Sequence, residues 1–410
     1  MTRRVVVTGM SGVTSLGENW TDIKREMQAG NTGIRYMEEW DRYGDLGTRL
    51  AGPVLDFSMP GHYSRKALRS MGRVSQLAVY ATERALEDAG LLDGKSFLQG
   101  GRMGIAYGSS FGSTPPVKAF ARLMETGQAR GLTATSYVQM MSHTAPVNIG
   151  VFFGVTGRVI PTSSACTSGS MAVGYAYEAI QAGHQDAMIA GGAEELCPTM
   201  AAVFDTLFAT SQRNDTPHLS PSPYDKDRDG LVIGEGSATL VLEEREHALA
   251  RGATIYAEIL GFGTNSDGKH ITQPSPVPMK GALESALSDS GFTPEHIDMI
   301  SGHGTATHQG DIAECEATYG LFERAIPFHS LKGYFGHTLG ACGAIEVWLG
   351  IEAMREGWFA STANLVNVDP ECAGLDHIIG DGRNMEISRF MSNNFAFGGI
   401  NTSLVIGKHS

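Results

Sequence analysis

Strand-like and helical patterns alternate along almost the whole chain, and this alternation restricts the fold more than any other feature. Short β-branched runs occur at residues 4–9, 186–194 and 255–262, and segments with helical apolar spacing lie between such runs. Alternation of this kind favours parallel β sheets covered by helices, an α/β fold. No low-complexity linker interrupts the chain, so the pattern predicts two halves, residues 1–253 and 254–410, that share an interface.

A long helical pattern spans residues 64–89 and begins with a cluster of cations. One interpretation is an ordinary solvated helix face. The other is a docking patch for an acidic partner, which matters more because the whole chain is acidic. The four cations are Arg65, Lys66, Arg69 and Arg73.

The residues around Cys166 give the strongest single indication of chemistry. An extended run at 158–161 leads into a turn of small residues, and a helical pattern follows. A thiol on such a strand-to-helix turn lies at the positive end of a helix, which lowers its pKa and favours the thiolate. We therefore expect Cys166 to be a nucleophile with a lowered pKa.

Two histidines follow glycines in the second half of the chain. His303 ends a predicted strand between Gly302 and Gly304, and His337 follows Gly336 before a helix of small residues. We expect the His303 imidazole to be exposed in a cleft. A lone turn histidine bonded to the backbone is the alternative, and the hydroxyl residues nearby favour a site.

Lys332 lies in a small, apolar segment five residues before His337. A buried ammonium needs an anion, and Glu346 or Glu314 is the candidate partner. A plain strand–helix corner is the alternative interpretation of this segment.

Three further segments bear on function. Phe395 and Phe397 precede a Gly-Gly turn whose backbone N–H groups could face an oxyanion, although a hairpin with core aromatics has the same pattern. The glycine-rich loop that contains Phe111 lacks a P-loop lysine, so we expect a pocket wall rather than a phosphate cradle. Residues 213–236, rich in Pro, Asp and Gly, predict an ordered surface loop.

Composition restricts the partners and the compartment. The formal net charge of -13 argues against a nucleic-acid binder. The five cysteines are scattered, which indicates a reducing compartment and no metal site. No apolar run reaches the roughly 18 residues of a membrane span, and the N-terminus predicts a first strand rather than a signal peptide. We therefore expect a cytoplasmic protein without a membrane partner.

Four segments occur in the order and spacing of the β-ketoacyl-acyl carrier protein synthases. The chain resembles the type I/II condensing enzymes of that family along almost its whole length, and resembles type III synthases and thiolases less. The segments are Ser-Ala-Cys-Thr-Ser-Gly-Ser at 164–170, Gly-His-Gly-Thr-Ala-Thr at 302–307, Lys-Gly-Tyr-Phe-Gly-His-Thr-Leu-Gly-Ala-Cys-Gly-Ala at 332–344, and Asn-Phe-Ala-Phe-Gly-Gly-Ile-Asn at 394–401.

The resemblance implies a thiolase fold, with five layers αβαβα built from two similar halves. It implies that Cys166 takes an acyl chain from an acyl carrier protein as a thioester. His303 and His337 would hydrogen-bond the malonyl thioester carbonyl while CO2 leaves, and Lys332 would support them electrostatically. The backbone amides of Cys166 and Phe397 would form the oxyanion hole.

The resemblance also assigns the substrate contacts. Thr305 and Thr307 match positions that contact the pantetheine arm, and Phe397 matches a gate over the acyl pocket in the same segment as Phe395. Phe111 falls where related enzymes carry a smaller residue, so it predicts a preference for short or unusually shaped primers. No cofactor is expected, because the phosphopantetheine arm of the carrier protein delivers the substrates.

The implied partner is an acidic acyl carrier protein, which favours a docking role for Arg65, Lys66, Arg69 and Arg73. The family also implies a dimer, either a homodimer or a heterodimer with a related subunit. Residues 137–153 are the candidate contact, and an internal buried segment is the alternative.

Three alternatives remain at the level of sequence. One is a non-catalytic, chain-length-factor-like subunit, which would typically lack the nucleophile. Another is a Cys-His hydrolase, which leaves the second histidine unexplained. The third is the same condensation in a dedicated polyketide or aryl polyene pathway, which the shared catalytic residues do not distinguish from fatty acid synthesis.

Overall fold

The computed structural model describes residues 3–409. The strands in this range are β1 Val5–Val13, β2 Arg35–Tyr36, β3 Leu50–Gly52, β4 Met103–Gly108, β5 Val159–Thr162, β6 Ala187–Glu194, β7 Ile233–Gly234, β8 Gly236–Glu244, β9 Ala257–Ser266, β10 Met299–Ser301, β11 Pro327–His329, β12 Trp358–Phe359, β13 Asp376–His377, β14 Arg383–Asn384, β15 Arg389–Ala396 and β16 Ile400–Gly407. The helices are α1 Trp20–Gln28, α2 Arg65–Leu68, α3 Arg73–Asp88, α4 Lys95–Leu98, α5 Val117–Thr126, α6 Ala134–Met140, α7 Thr144–Phe153, α8 Ser168–Gln181, α9 Pro198–Asp205, α10 Arg245–Ala250, α11 Pro276–Ser290, α12 His308–Phe322, α13 Lys332–Phe335 and α14 Cys342–Glu356. None of the helices in the described range has both the length and the apolar character that crossing a lipid bilayer demands.

One mixed sheet of eleven strands runs through the molecule in the order β13-β11-β10-β15-β16-β9-β1-β8-β6-β4-β5. On one side, β5, β4 and β6 run parallel and β8 and β1 follow in antiparallel pairs. On the other side, β11, β10 and β15 run parallel and β16 and β9 follow in antiparallel pairs. The same strand pattern therefore occurs twice, and the two copies meet where β1 pairs with β9.

This repeat confirms the prediction of two similar halves. The predicted parallel strands are present in both halves, but each half also contains antiparallel pairs that were not predicted. The chain turns directly from β15 into β16, which produces an antiparallel pair. Parallel neighbours need a longer crossover connection, usually a helix. The division of the chain between residues 253 and 254 stays a prediction.

Helices cover and separate the two halves in five layers. Helices α3 and α7 pack on the outer face of the first half, α11 and α12 cover the second half, and α8 and α14 fill the space between them. In α14, twelve of the fifteen residues are buried. A helix that is apolar almost all round suits this position between the two halves of the sheet. The αβαβα layer order of the predicted thiolase fold is present.

The two central helices approach each other so closely at their N-terminal ends that glycine is required there. A β-carbon on Gly169 would lie 2.9 Å from the carbonyl oxygen of Gly340, and one on Gly343 would lie 2.7 Å from the backbone nitrogen of Ser170. No larger side chain fits such a contact without moving the backbone. The contact brings the two turns that precede α8 and α14 to the same place.

The prediction of one long helix at 64–89 is wrong. The chain is extended at Gly72 (φ -87°, ψ -177°), which separates α2 from α3. The Ser113 hydroxyl oxygen accepts the backbone N–H of Val74 at 3.2 Å and so caps α3 from a distant loop. Local helical spacing could not reveal this break, because its cap comes from another part of the chain.

The prediction of a surface loop at 213–236 is also wrong, since residues 220–225 are buried. Arg228 is 8% exposed, and its guanidinium lies 2.6 Å from the Asp369 carboxylate and 3.4 Å from that of Asp311. The polar composition of this loop supplies a buried ion-pair network rather than a solvated surface.

We expect Arg228→Met to destabilise the protein by about 3–5 kcal/mol, because it leaves two carboxylates without their buried cation. Thermal unfolding of the purified protein measures the effect. The matched control is Arg102→Met, which removes an exposed ion pair with Asp186 and should cost about 1 kcal/mol or less. Equal unfolding temperatures for the two variants would contradict a stabilising role for the buried network.

Candidate active site

Cys166 lies in the middle of a 3-10 turn, Ala165–Thr167, that joins β5 to α8. Ala165 has a φ of 49°, a left-handed conformation that costs about 1–3 kcal/mol for a residue other than glycine. The Ser168 hydroxyl donates to the Ala165 carbonyl oxygen at 2.7 Å and helps to hold the turn. The structure therefore places Cys166 on the strand-to-helix turn that the sequence predicts.

The predicted lowered pKa of the Cys166 thiol is wrong. Only 5% of the residue is exposed, and burial raises the pKa of the thiol to about 12. The Lys332 ammonium and the backbone N–H groups of Phe397 and Cys166 oppose this increase without cancelling it. Removing a thiolate from water costs more here than these groups contribute. The two N–H groups beside the sulfur are the pair predicted for the oxyanion hole.

His303 follows β10 and is 6% exposed, so its predicted exposed position is wrong. Glu314 of α12 holds the histidine turn, because its carboxylate accepts the backbone N–H of His303 at 2.5 Å and that of Gly304 at 2.7 Å. Burial raises the pKa of Glu314 to about 7. Glu314 thus supports the backbone of the site instead of pairing with Lys332.

His337 lies between α13 and α14 and presents one free nitrogen. Its Nδ1 accepts the backbone N–H of Leu339 at 3.2 Å, so the neutral ring carries its proton on Nε2. Burial and the Lys332 ammonium lower the pKa of His337 well below its usual value, and the ring is neutral at pH 7. Among the described residues, Nε2 has no hydrogen-bond partner, so its N–H is available to a substrate oxygen.

The three predicted catalytic side chains converge. The ring centroids of His303 and His337 lie 5.1 Å apart with their planes at 87°. One ligand atom from each histidine and the Cys166 sulfur all lie within 4.8 Å of one another. Burial lowers the pKa of His303 well below its usual value, and Lys332 and His337 add to this effect. The site is therefore a thiol beside two neutral imidazoles.

A metal ion could use the spacing of Cys166, His303 and His337. A second cluster with similar spacing consists of His308, Asp369 and Glu371. In that cluster, Asp369 is already engaged by Arg228. The expectation that the protein uses no metal and no cofactor stays a prediction.

Lys332 and Glu346 form a buried ion pair behind the site, each with 1% of its side chain exposed. Burial alone would lower the pKa of Lys332, but Glu346 and other nearby acidic groups together raise it above its usual value. Of the two acids that the sequence offered as a partner, Glu346 is the one that contacts the ammonium. The second Glu346 oxygen accepts the Asn394 side-chain N–H at 2.7 Å.

Two cavities meet at Cys166. The smaller, about 450 Å³, is lined by both histidines and by Thr305 and Thr307. The larger, about 900 Å³, is lined by the predominantly apolar residues around Phe111, which is 41% exposed. Phe111 therefore lies in the wall of a pocket that reaches the thiol, as the sequence predicts.

Two phenylalanines stand between the cavities. Phe204 and Phe397 each line both, with ring centroids 5.2 Å apart. Phe395 is 7% exposed, lines the smaller cavity and has its ring centroid 6.2 Å from that of His303. The position of Phe397 fits a gate, and Phe204 was not predicted as its partner.

The sequence matches two models, described as Beta-ketoacyl synthase, N-terminal domain, at residues 2–248, and Beta-ketoacyl synthase, C-terminal domain, at residues 256–366. The chain belongs to the β-ketoacyl synthase family. It is 35% identical to the 3-oxoacyl-[acyl-carrier-protein] synthase 2 of Coxiella burnetii over 412 residues, which cover 99% of each chain.

Solved structures agree with this assignment. A β-ketoacyl synthase from Burkholderia phymatum superposes with a TM-score of 0.98 at 55% identity, with both chains covered completely. The ishigamide ketosynthase/chain length factor superposes with a TM-score of 0.90 at 29% identity, again over both whole chains. This β-ketoacyl synthase therefore has the thiolase fold and is a condensing, acyltransferase-type enzyme.

Three of the four cations predicted for docking are available on the surface of the synthase. Arg65, Lys66 and Arg69 are exposed in and just after α2. Arg73 does not belong with them, because its guanidinium pairs with Glu235 at 2.9 Å and lines the larger cavity. The docking prediction is therefore corrected to the three exposed cations.

Glu194, a buried acid at the end of β6, was not predicted from the sequence. Its Oε2 accepts the backbone N–H of Ser110 at 2.8 Å and that of Gly340 at 2.9 Å. Gly340 lies in the 3-10 turn Leu339–Ala341 before α14, so the carboxylate connects the two halves beside the thiol. An acidic residue ending a fully apolar strand is the signal that could have identified it.

Sequence analysis also missed two side chains around the thiol. Trp40 lines the larger cavity and enlarges its aromatic wall. Asn394 lies in one of the four segments that carry the family resemblance, yet only the structure shows its contacts with His303 and Glu346.

We expect Glu194→Gln to flatten the pH dependence of stability. Burial raises the pKa of Glu194 to about 7, so the folded protein keeps a proton that the unfolded chain releases above pH 4.5. The resulting stabilisation is complete below that pH and is lost as the pH rises through about 7. The free energy of unfolding, measured with denaturant, should decrease between pH 5 and pH 8 by about 1–3 kcal/mol less in the variant than in the wild type. An equal decrease in the free energy of unfolding of the two proteins would contradict the raised pKa of Glu194.

Proposed function

We propose that this β-ketoacyl synthase joins an acyl group, held on Cys166 as a thioester, to a two-carbon unit from malonyl-acyl carrier protein with loss of CO2. One observation carries the proposal. His337 directs an unpartnered N–H toward the site from a neutral ring, and a second neutral imidazole lies beside it. Two neutral donors stabilise an enolate oxygen without acting as strong bases.

In the first half-reaction, the Cys166 sulfur bonds to the acyl carbon of a carrier-protein thioester. The pantetheine sulfur leaves and takes the thiol proton. The backbone N–H groups of Cys166 and Phe397, which both lower the pKa of the buried thiol, are the proposed oxyanion hole. Because burial nevertheless raises the pKa of the thiol, we propose that its proton is transferred during the attack.

In the second half-reaction, the bond between the malonyl carboxylate and its α-carbon breaks and CO2 leaves. The electron pair stays on the two-carbon unit as an enolate, whose oxygen accepts the N–H groups of His303 and His337. The enolate carbon then bonds to the acyl carbon and releases the Cys166 sulfur as a thiolate. Each imidazole donor contributes about 2.7–4 kcal/mol, by comparison with one lost oxyanion-hole hydrogen bond.

The hydrolase alternative lacks the arrangement that it requires. In a Cys-His hydrolase, a carboxylate or an amide oxygen accepts the histidine Nδ1–H and orients the ring as a base for the thiol. Here Nδ1 of His337 accepts a backbone N–H, and Nδ1 of His303 faces the Asn394 amide nitrogen at 3.3 Å. A non-catalytic, chain-length-factor-like subunit is disfavoured because the nucleophile and both histidines are present.

We assign the smaller cavity to the pantetheine arm, which enters past Thr305 and Thr307, and the larger cavity to the acyl chain. The exposed cations Arg65, Lys66 and Arg69 are the proposed docking site for an acidic carrier protein. Similarity along 99% of a free-standing relative supports a type II-like enzyme, in which carrier and synthase are separate chains.

A second candidate is the same condensation in a dedicated polyketide or aryl polyene pathway. Complete structural alignment with the ishigamide ketosynthase/chain length factor supports it, as does the volume of the larger cavity, about 900 Å³. To separate the two pathways, the enzyme is incubated with a set of acyl carrier proteins and primers, and the products are identified by mass spectrometry.

We propose a dimer, either of two identical chains or with a related subunit. Among the described strands, β5 pairs with β4 alone and forms one end of the eleven-stranded sheet, where Val159 is 44% exposed. Within the predicted contact at 137–153, Tyr137 is 52% exposed and Val151 is 78% exposed. An unpaired strand edge with exposed apolar neighbours is a surface that a second chain can cover.

We expect Cys166→Ala to abolish acylation and condensation. His303→Ala and His337→Ala should each lower malonyl decarboxylation by about 100- to 1,000-fold while acylation of Cys166 continues. Intact-protein mass spectrometry measures acylation, and CO2 release measures decarboxylation. His62→Ala is the control, since His62 is exposed and pairs with Glu83 away from the site. Continued condensation by the cysteine variant would refute the mechanism.

We expect Phe111→Ala to increase kcat/KM for primers longer than the wild-type optimum by about tenfold, because it deepens the larger cavity. Competition among acyl-carrier-protein primers of different lengths provides the measurement. Val277→Ala, at an exposed residue outside both cavities, should leave the profile unchanged. An unaltered profile for the Phe111 variant would show that this ring does not limit chain length.

A further inference from the structure

Asn394 of β15 connects His303 to the Lys332–Glu346 ion pair. Its side chain is fully buried. Its Nδ2 donates to Glu346 Oε2 at 2.7 Å, and it lies 3.3 Å from His303 Nδ1 and 3.7 Å from the Cys342 sulfur. An amide nitrogen has two hydrogens, and a thiol sulfur is a weaker acceptor than an imidazole nitrogen, so the second hydrogen goes to His303. A continuous chain of contacts therefore runs from the ammonium through the carboxylate and the amide to the imidazole.

The ion pair fixes which way the Asn394 amide faces. Burial raises the pKa of Glu346, but the Lys332 ammonium in contact with it opposes this effect and favours the ionised carboxylate. An ionised carboxylate only accepts hydrogen bonds. Turning the amide over would place Oδ1 against that carboxylate oxygen. In the observed orientation, Oδ1 has no hydrogen-bond partner among the described residues. It packs closely against Gly343, since a β-carbon built on that glycine would lie only 2.6 Å from it. The Glu346 contact thus determines the orientation although it leaves Oδ1 unpaired.

This orientation decides where His303 carries its proton. The ring is neutral, because burial and the nearby Lys332 lower its pKa well below the usual value. A neutral imidazole has one N–H and one acceptor nitrogen. Since the Asn394 N–H points at Nδ1, Nδ1 is the acceptor and Nε2 holds the proton. Nε2 is the nitrogen left for a substrate in the smaller cavity that His303 lines.

We propose that Asn394 is a positioning residue that holds His303 as its Nε2–H tautomer. This inference rests on the proposed function, in which that N–H donates to the malonyl carbonyl. His337 reaches the same tautomer through the backbone N–H of Leu339, which no side-chain substitution removes. The tautomers of the two histidines are therefore fixed in different ways. That of His337 depends on a backbone N–H, whereas that of His303 depends on a side chain that can be replaced.

The decisive variant is Asn394→Asp, which keeps the shape of the side chain and replaces its donor with an acceptor. The tautomer of His303 should invert, with the proton on Nδ1. Decarboxylation of malonyl-pantetheine should fall about 100-fold or more, because one enolate donor is lost. Acylation of Cys166 by hexanoyl-pantetheine should stay within about threefold of the wild type, since it does not use that donor.

The tautomer itself is measured by two-bond ¹H–¹⁵N correlation NMR on protein labelled with ¹⁵N-histidine. The His303 signals are identified by their loss in His303→Asn. Wild-type protein should show a protonated Nε2, and Asn394→Asp should show a protonated Nδ1. A merely structural role for Asn394 would lower both half-reactions together and leave the tautomer unchanged, and this result would overturn the proposal.

Asn393→Asp is the matched control, because the same substitution is made one residue earlier on the same strand. Asn393 is buried, its Oδ1 accepts the Ser403 hydroxyl at 2.7 Å, and its Nδ2 has no partner among the described residues. This control should leave the His303 tautomer and the ratio of the two half-reactions unchanged. A change in its tautomer equal to that in Asn394→Asp would contradict the specific role of Asn394.

If Asn394→Asp does not fold, Asn394→Ala removes the donor without adding an acid next to Glu346. His303 should then populate both tautomers, with a loss of decarboxylation of about tenfold. Retention of Nε2–H alone in this variant would overturn the proposal. Failure of the proposed function has a different signature, because wild-type protein would then neither decarboxylate nor become acylated while its NMR tautomer remained measurable.

Discussion

The close approach of α8 and α14 is the constraint on which the active site depends. Each helix begins at a turn from a different half of the chain, and Gly169 and Gly343 allow the two starts to touch. Because they touch, the thiol from the first half meets the histidines from the second at one point. The small residues of these segments are therefore required by packing as well as by chemistry. Neither half contains a complete site by itself.

The electrostatics of the site follow from enclosing it. Burial keeps the Cys166 thiol protonated and both histidines neutral, and it raises the pKa of Glu314. The Lys332–Glu346 pair is the one charged pair that directly adjoins the histidines among the described residues. Its ammonium disfavours imidazolium on both rings, and its carboxylate orients the Asn394 amide. A single buried ion pair thus influences both the protonation of the site and the directions of its hydrogen bonds.

Much of this arrangement is predictable from sequence, because it depends on residue types at short spacing. Alternating strand and helix patterns indicate the α/β halves, and the small residues around Cys166 and the two histidines indicate turns at strand ends. Exposure and protonation are not predictable in the same way. The raised pKa of the thiol results from its burial, which the residues adjacent to Cys166 in the sequence do not reveal. Arg73 pairs with Glu235, which is 162 residues away in the sequence. The cluster of cations around Arg73 could not show that this side chain is already engaged.

The strained turn before α8 occurs a second time before α14. Ala165 and Leu339 have φ values of 49° and 46°, and each opens a three-residue 3-10 turn that leads into a central helix. The second residue is Cys166 in one turn and Gly340 in the other. The two turns therefore bring the same backbone geometry to one site from opposite halves of the chain. The first turn supplies a reactive side chain, while the second has no side chain at that position and offers its backbone N–H to Glu194. One local geometry thus serves nucleophilic chemistry in one half and a structural contact in the other.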